Sequence, residues 1–353
     1  MLKCIIIVLL IISTQVVLAD EITQIVFFGD SLTDNGNLYH STLKVIPKSP
    51  PYYKGRFSNG PSWAELVGDY YHEKQGIQYQ IEAVGGATVI LRGPWQGALP
   101  YTVGQELTHY LTRSPADKSH ILYALWVGAN DYLDEQKQEV NALNTDVVNG
   151  IFDVVNKLMR QGAKHFLLFN MPDLSKTPFA ATANSSIVSR FVILSHLNQE
   201  KMASMVNKLR IEHPDKTFVL IDIYELFNTM FDHLDQYNEK YNTHISNLTQ
   251  SCWQGWYILR NEPVKQQIEQ LAQELNTANS TAFANHVLST TSLAEAHFVN
   301  KLQAAGIKPC DNPDDYMFWD KVHPTRVMHQ ILAQTVIEQL NDVYFIKNKK
   351  LGT

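Results

Sequence analysis

A serine in a polar turn is the first residue of this sequence whose type and setting could support catalysis. Ser31 lies within residues 29–34, directly after an apolar run that predicts a strand. Ligands of open α/β sheets bind at the carboxyl ends of the strands, so a serine in this turn is placed for nucleophilic attack. Gly29 lets the chain turn sharply, and backbone N–H groups beyond the turn can face an anion. Gly-Asp-Ser alone is weak evidence, because ordinary turns use the same residues.

A nucleophilic serine needs a base, and the base needs a group that orients it. Asp320 and His323 supply both, just before a predicted helix at 326–340. Their spacing can place the carboxylate against one imidazole nitrogen and leave the other nitrogen to accept the serine proton. The sequence has no Gly-x-Ser-x-Gly, so the nucleophile elbow of the α/β-hydrolase fold is absent.

Acyl transfer also requires hydrogen-bond donors aimed at the oxyanion of the tetrahedral intermediate. Residues 84–88 contain two glycines after a predicted strand, so their backbone can approach a substrate closely. Residues 128–132 follow another predicted strand, and the side-chain amide of Asn130 is a donor. Each segment alone fits ordinary turn chemistry. Their joint occurrence at strand ends and before a helix favours one shared active site.

The elements that must position these residues alternate between short apolar runs and longer stretches with helical periodicity. The apolar runs predict five strands, at 24–28, 79–84, 121–127, 165–169 and 217–223. The periodic stretches predict helices at 144–161, 187–209 and 326–340. This alternation is typical of parallel sheets covered on both faces. We therefore predict an α/β fold, a flavodoxin-like three-layer α/β/α sandwich around a mostly parallel five-stranded sheet.

The composition and the N-terminus predict an exported protein. The 353 residues carry a formal charge of −6 and no basic run, so nucleic acid is not an expected partner. The 45% hydrophobic content excludes general disorder, and no apolar run is long enough for a polytopic membrane protein. Residues 1–19 resemble a secretory signal peptide. We predict one secreted domain, extracellular or periplasmic, over residues 20–353, with an insertion at about 233–315.

Removal of the signal peptide leaves two cysteines, Cys252 and Cys310. Export into an oxidising compartment predicts a disulfide between them, and two buried thiols are the alternative. Such a bridge would close a loop that could act as a lid or as a site of proteolytic activation. An aromatic cluster near Cys252 either forms an acyl-chain pocket, forms a patch that meets a lipid surface, or packs the insertion; its members are Tyr237, Tyr241, Trp253, Trp256 and Tyr257.

These motifs together make the sequence similar to the GDSL lipases and esterases, also called SGNH hydrolases. The matching blocks are Gly29-Asp30-Ser31-Leu32, Gly86 in its Gly-Gly-Ala stretch, Gly128-Ala129-Asn130-Asp131 and Asp320-x-x-His323. Further similarity lies at 53–63, 170–174 and 318–320. Within the family, the sequence most resembles secreted bacterial phospholipases A, lysophospholipases and glycerophospholipid:cholesterol acyltransferases.

The resemblance implies a role for each site residue. Ser31 would be the nucleophile, His323 the general base and then acid, and Asp320 the group that orients it. The Ser31 N–H, the Gly86 N–H and the Asn130 side chain would form the oxyanion hole. Many relatives carry Asn at the position of Glu82, so hydrogen bonding there is expected to differ.

The resemblance also implies a secreted serine esterase that hydrolyses fatty-acyl esters of phospholipids or lysophospholipids through an acyl-enzyme. Sterol or glycerol in place of water would make it an acyltransferase. A carbohydrate O-acetylesterase or short-chain esterase is the alternative among enzymes, and a non-catalytic binding protein on the same fold is the alternative outside them. The expected partners are a lipid substrate and, transiently, a membrane surface, while the oligomeric state stays open. No cofactor and no metal are expected, since the sequence has neither His-Glu-x-x-His nor Cys-x-x-Cys.

Overall fold

The computed structural model describes residues 22–42, 44, 46–91, 102–134, 138–253 and 308–345. The predicted signal peptide at 1–19 lies outside these residues, as do Trp256, Tyr257 and most of the segment between the two cysteines. The predictions of a lid and of proteolytic activation therefore stay predictions.

A parallel sheet of five strands forms the centre of the described chain. Its strands are β1 (Gln24–Gly29), β2 (Gln78–Ile81), β3 (Ile121–Trp126), β4 (His165–Phe169) and β5 (Thr217–Ile221). Their spatial order is β2-β1-β3-β4-β5, and every neighbouring pair runs parallel. The three central strands are buried over nearly their whole length, as expected for a sheet covered on both faces. The predicted α/β fold with a mostly parallel five-stranded sheet is confirmed.

Helices cover the two faces of this sheet. In chain order, the α-helices of the described residues are α1 (Asn37–Ser41), α2 (Trp63–Gln75), α3 (Val103–Leu111), α4 (Ala129–Asp134), α5 (Val140–Arg160), α6 (Pro178–Ala181), α7 (Ser185–Glu212), α8 (Ile223–Asp232), α9 (Leu234–Tyr241) and α10 (Arg326–Leu340). Short 3₁₀ turns lie at Leu174–Lys176 and Pro313–Asp315, and a π-helical turn at Asn341–Phe345 follows α10. Helix α2 packs against α10, and α5 packs against α7. None of the helices in the described ranges is long and apolar enough to cross a membrane.

The observed element boundaries follow from local hydrogen bonding. Strand β4 and helix α10 have the predicted bounds. Strand β2 ends at Ile81 instead of residue 84, and the Val84 N–H donates to the Glu106 carboxylate at 3.1 Å. Strand β5 ends at Ile221 because Asp222 caps helix α8, its carboxylate accepting the Glu225 N–H at 2.9 Å.

A second, two-stranded parallel sheet was not predicted from the sequence. It pairs β6 (Asn247–Ser251) with β7 (Tyr316–Phe318), which leads directly into residues 319–323. Cys252 and Cys310 form a disulfide at the end of β6, with their Cα atoms 4.9 Å apart. The described start of the predicted insertion is thereby joined to the segment that carries Asp320 and His323.

Candidate active site

The site lies at the topological switch point of the sheet. From β1 the chain goes to β2 on one side and then to β3 on the other, so a crevice opens between the carboxyl ends of β1 and β3. Ser31 follows β1 and Asn130 follows β3, so these two residues stand on either side of the crevice. The turn before α10 brings His323 to the same place, and all three residues line one cleft.

Three of the predicted site residues form one hydrogen-bonded chain. His323 Nε2 lies 2.9 Å from Ser31 Oγ, and His323 Nδ1 lies 2.7 Å from Asp320 Oδ2. His323 and Asp320 are buried, and Ser31 keeps 6% of its surface exposed where it meets the cleft. This geometry lets the imidazole take a proton from the hydroxyl while the carboxylate fixes the ring and stabilises its positive charge.

The three-residue spacing of Asp320 and His323 has a local explanation. Asp320 Oδ1 accepts the backbone N–H groups of Val322 at 3.0 Å and of His323 at 2.8 Å, which folds the turn back onto its own carboxylate. The Trp319 N–H closes the turn on the His323 carbonyl at 2.8 Å. Thr325 then caps α10. The other oxygen, Oδ2, thus faces the imidazole.

Asp30 and Asp34 order the turn that presents Ser31. Asp30 Oδ1 accepts the Leu32 N–H at 3.0 Å, so the chain bends around Ser31. The Asp34 carboxylate accepts the N–H groups of Gly36 at 2.7 Å and Asn37 at 2.6 Å. Asp34 also accepts the Gly85 N–H at 2.7 Å, which ties the nucleophile turn to the glycine segment after β2.

Buried carboxyl groups surround the Ser31 turn. Burial raises the pKa of Asp30 to about 7 and that of Asp34 to about 6, although backbone N–H donors oppose both shifts. The pKa of Glu106, which accepts the Gly29 and Val84 N–H groups, lies well above its ordinary value for the same reason. Asp30 Oδ2 is buried with no hydrogen-bond partner among the described residues. Burial thus disfavours extra negative charge beside the serine.

The two segments expected to supply oxyanion donors are bonded to each other. The Asn130 side chain donates to the Ala87 carbonyl at 2.9 Å, and the Asp131 carboxylate accepts the Val89 N–H at 2.8 Å. Gly86 has φ +80°, in the left-handed region that favours glycine. Because the Gly85 N–H already donates to Asp34, Gly86 fits the donor role better than Gly85 does.

The cleft beside Ser31 is mostly apolar. Its volume is about 540 Å³, including the open space at its mouth. Its apolar walls come from several elements and include Leu32, Leu133, Leu174, Phe227, Phe318 and Val322. The indole of Trp126 also lines it, and its Nε1 is buried with no hydrogen-bond partner in the described part of the chain.

Other residues singled out in the sequence lie elsewhere. Trp253 and Tyr241 are buried, and neither is among the residues that line the cleft, which favours packing over an acyl-pocket role. Glu82 forms an ion pair with Arg113, which gives its carboxylate a charged partner. Within the described ranges, no group of three or more His, Cys, Asp or Glu side chains could hold a metal ion.

Sequence reasoning missed Tyr52, which contacts the site. The buried Tyr52 hydroxyl donates to Asp320 Oδ2 at 2.6 Å. Tyr52 directly precedes the block at 53–63 that carries part of the family resemblance. The position of Tyr52 beside this block was the only indication of its role in the sequence, because 268 positions separate Tyr52 from Asp320.

The parallel sheet and the serine–histidine–aspartate chain at its switch point are features of an α/β serine ester hydrolase. The chain belongs to the GDSL-like lipase/acylhydrolase family, whose model matches residues 25–336.

Several curated relatives are similar over most of the chain. A phosphatidylcholine-sterol acyltransferase of Aeromonas hydrophila is 32% identical, over 91% of this chain and 91% of the relative. The thermolabile hemolysin of Vibrio parahaemolyticus is 24% identical, over 92% of this chain and 65% of its own length. The secreted effector protein SseJ of Salmonella typhimurium is 25% identical, over 60% of this chain and 50% of its own length.

Proposed function

We propose that the protein is a secreted serine acyl hydrolase that cleaves fatty-acyl esters of phospholipids or lysophospholipids through an acyl-enzyme. The observation that carries this proposal is the hydrogen-bonded chain Ser31–His323–Asp320, which opens onto an apolar cleft. A binding protein has no need of a nucleophile already bonded to an oriented base, so this arrangement favours catalysis over binding alone.

The first half-reaction transfers the acyl group to Ser31. His323 Nε2 accepts the Ser31 proton as Oγ attacks the ester carbonyl, and Asp320 stabilises the imidazolium that forms. The carbonyl oxygen becomes an oxyanion held by the Ser31 N–H, the Gly86 N–H and the Asn130 amide. The intermediate then collapses, His323 returns the proton to the leaving alkoxide, and the alcohol departs.

The second half-reaction regenerates Ser31. Water, deprotonated by His323, attacks the acyl-enzyme and releases a free fatty acid. An alcohol in place of water gives an acyl transfer instead. The relative from Aeromonas hydrophila, named as a phosphatidylcholine-sterol acyltransferase, supports a sterol as a second acceptor.

The walls of the cleft support a fatty-acyl group over a sugar ester. Leu133, Leu174 and Phe227 offer carbon surface with no hydrogen-bonding groups, as an alkyl chain requires. Burying each methylene of such a chain contributes about 0.8 kcal/mol to binding. A pocket for an acetylated sugar would need more polar groups around it.

Secretion is supported by two features. The disulfide between Cys252 and Cys310 is a bond that persists in oxidising compartments. Residues 1–19 have the pattern of a signal peptide. A lipid substrate also implies transient contact with a membrane surface.

Product analysis tests this proposal. The purified protein without residues 1–19 and its Ser31→Ala variant are incubated with diacyl phospholipid, lysophospholipid and cholesterol. We expect Ser31-dependent release of fatty acid, and cholesteryl ester if the sterol serves as acceptor. A wild type with no Ser31-dependent product on any lipid contradicts the proposal, and activity on acetylated sugars alone would replace it.

A further inference from the structure

A loop at residues 52–59 lies against the turn that carries Asp320 and His323. Four of its side chains contact that turn, and we call them the brace: Tyr52, Phe57, Ser58 and Asn59. In chain order, the four brace residues contact Asp320, His323, Pro324 and Arg326, respectively. Residues 53–59 of this loop belong to the block of family resemblance that the proposed reaction does not otherwise use.

Two brace residues fix the position of the imidazole and of the chain after it. The Phe57 ring lies 5.1 Å from the His323 ring, centroid to centroid, and is buried. The Ser58 hydroxyl donates to the Pro324 carbonyl at 2.8 Å. These two contacts hold the His323 ring and the carbonyl of the next residue.

A third brace residue holds the start of α10. The Arg326 N–H, one of the first amides of the helix, donates to Asn59 Oδ1 at 2.7 Å. A Cβ atom added at the adjacent Gly60 would lie only 2.5 Å from Arg326 Cβ. The loop therefore sits against α10 at a distance that leaves no room for a larger residue at position 60.

Tyr52 is the brace residue with a direct electrostatic connection to the site. Its hydroxyl donates to Asp320 Oδ2, the same oxygen that lies 2.7 Å from His323 Nδ1. Its ring packs against Trp319 and Phe57, which fixes the direction of the hydroxyl. One carboxylate oxygen is thus shared by a buried phenol and the imidazole.

We propose that Tyr52 is a positioning residue for the acid–base pair, acting through Asp320 to orient His323 and to share the charge of the carboxylate oxygen that faces it. This inference rests on the proposed serine hydrolase function. A donor on Oδ2 withdraws electron density from the carboxylate and makes it a weaker partner for the imidazolium. It also keeps Oδ2 in the plane that the imidazole N–H needs.

Removing the hydroxyl has a defined effect on the pH profile. Without Tyr52 as a donor, Asp320 holds the imidazolium more strongly, so the proton leaves His323 at a higher pH. The acid limb of the kcat/KM profile then moves upward, by roughly half a unit to one unit for the loss of one charge-assisted hydrogen bond. The other titratable groups near His323 are Asp30 after β1 and His329 on α10, and they stay in place in every variant used.

The test compares Tyr52→Phe with wild type on soluble p-nitrophenyl esters, with Tyr53→Phe as the matched control. Tyr53 is the adjacent residue, and its ring meets Lys54 and Arg56 instead of the site. We expect Tyr52→Phe to lower kcat roughly ten- to a hundredfold with little change in KM, because Asp320 and His323 lose their fixed orientation toward Ser31. The stronger pull of Asp320 on the imidazolium moves the acid limb upward. Tyr53→Phe is expected to match wild type in both.

A double-mutant cycle with Asp320→Asn separates this role from a purely structural one. If Tyr52 acts through the carboxylate, Tyr52→Phe changes kcat by less than roughly twofold in the Asp320→Asn background. Thermal unfolding of each variant reports any loss of stability independently. The inference is overturned if Tyr52→Phe lowers kcat equally in the wild-type and Asp320→Asn backgrounds, or if it lowers Tm and leaves the pH profile unchanged. Neither result would affect the proposed function. A wild type without Ser31-dependent esterase activity overturns the proposed function, and this inference with it.

Discussion

At the scale of single residues, Asn130 is the proposed oxyanion donor whose contribution a side-chain substitution can measure. Its amide is held in place by donation to the Ala87 carbonyl at 2.9 Å. We expect Asn130→Ala to lower kcat on the order of 10²–10³-fold, as loss of one preorganised oxyanion donor does elsewhere. The measurement is steady-state hydrolysis of a p-nitrophenyl ester. Asn149→Ala, on the exposed face of α5, is the control; an Asn130→Ala rate near wild type would remove Asn130 from the site.

The raised pKa of Asp30 predicts how the stability of the protein depends on pH. Burial raises its pKa to about 7 in the folded protein, well above the value of an exposed aspartate. The folded state therefore binds the proton more tightly than the unfolded state, and the stability from this group is lost as pH rises from about 4 to 7. Asp30→Asn keeps the acceptor for the Leu32 N–H and removes the ionisation.

Between pH 5 and pH 8, the Tm of Asp30→Asn should accordingly rise relative to the Tm of wild type. Thermal unfolding across that pH range is the measurement, and the change amounts to at most a few kcal/mol in the free energy of unfolding. Asp69→Asn, at an exposed position of α2, controls for the general loss of one negative charge. If the Tm values of Asp30→Asn and wild type change in parallel with pH, the raised pKa of Asp30 is contradicted.

At the scale of secondary-structure elements, the β6–β7 pair connects the disulfide to the catalytic turn. The Cys252 N–H donates to the Phe318 carbonyl at 3.1 Å, and the Trp253 N–H donates to the Trp319 carbonyl at 2.7 Å. Asp320 follows immediately. We therefore expect a loosening of β6 to affect the position of Asp320.

Removal of the disulfide should lower both stability and activity. The bridge closes a loop with a sequence separation of 58 residues, and the chain-entropy model assigns such a loop about 4 kcal/mol. We expect the Cys252→Ser, Cys310→Ser double variant to lose several degrees in Tm and part of its kcat, and reduced wild type to behave in the same way. Oxidised and reduced samples are compared by thermal unfolding and ester hydrolysis. An unchanged Tm in the double variant would refute this coupling.

At the scale of the whole molecule, the cleft runs across the carboxyl edge of the sheet. Its lining starts at Ser31 after β1, continues with Ala129 after β3 and Leu174 after β4, and reaches Phe227 on α8 after β5. Three strand spacings of about 4.8 Å separate β1 from β5, a distance of roughly 14 Å. Phe227 follows β5, the strand farthest from β1 in the sheet, and is a candidate end wall for the acyl chain.

Phe227→Ala should shift the enzyme toward longer acyl chains. Each additional buried methylene contributes about 0.8 kcal/mol, so kcat/KM for longer esters should rise about fourfold per methylene relative to wild type. A series of p-nitrophenyl esters from acetate to palmitate measures the profile. Phe231→Ala, one turn further along α8 and stacked under Lys176, is the matched control. Activity on the shortest ester shows that the variant folds, and an unshifted profile would exclude Phe227 as the end wall.

The sequence alone determined the features that are encoded within a few residues. Apolar periodicity predicted the five strands and several helices, and β4 and α10 were placed residue for residue. Turn chemistry placed Ser31 and Asn130 at strand ends, and the Asp320–His323 spacing reflects a turn that closes on its own carboxylate. These features depend on local backbone geometry, which neighbouring side chains specify.

Only the tertiary structure decided which distant residues meet. Tyr52 reaches Asp320, and Phe227 joins the cleft, because loops from different strand ends converge at the switch point. The tertiary structure also distinguished Gly85, whose N–H donates to Asp34, from Gly86. It placed Trp253 in the interior of the protein, outside the lining of the cleft. Such contacts come from packing between segments far apart in the chain, and no local pattern of residues specifies them.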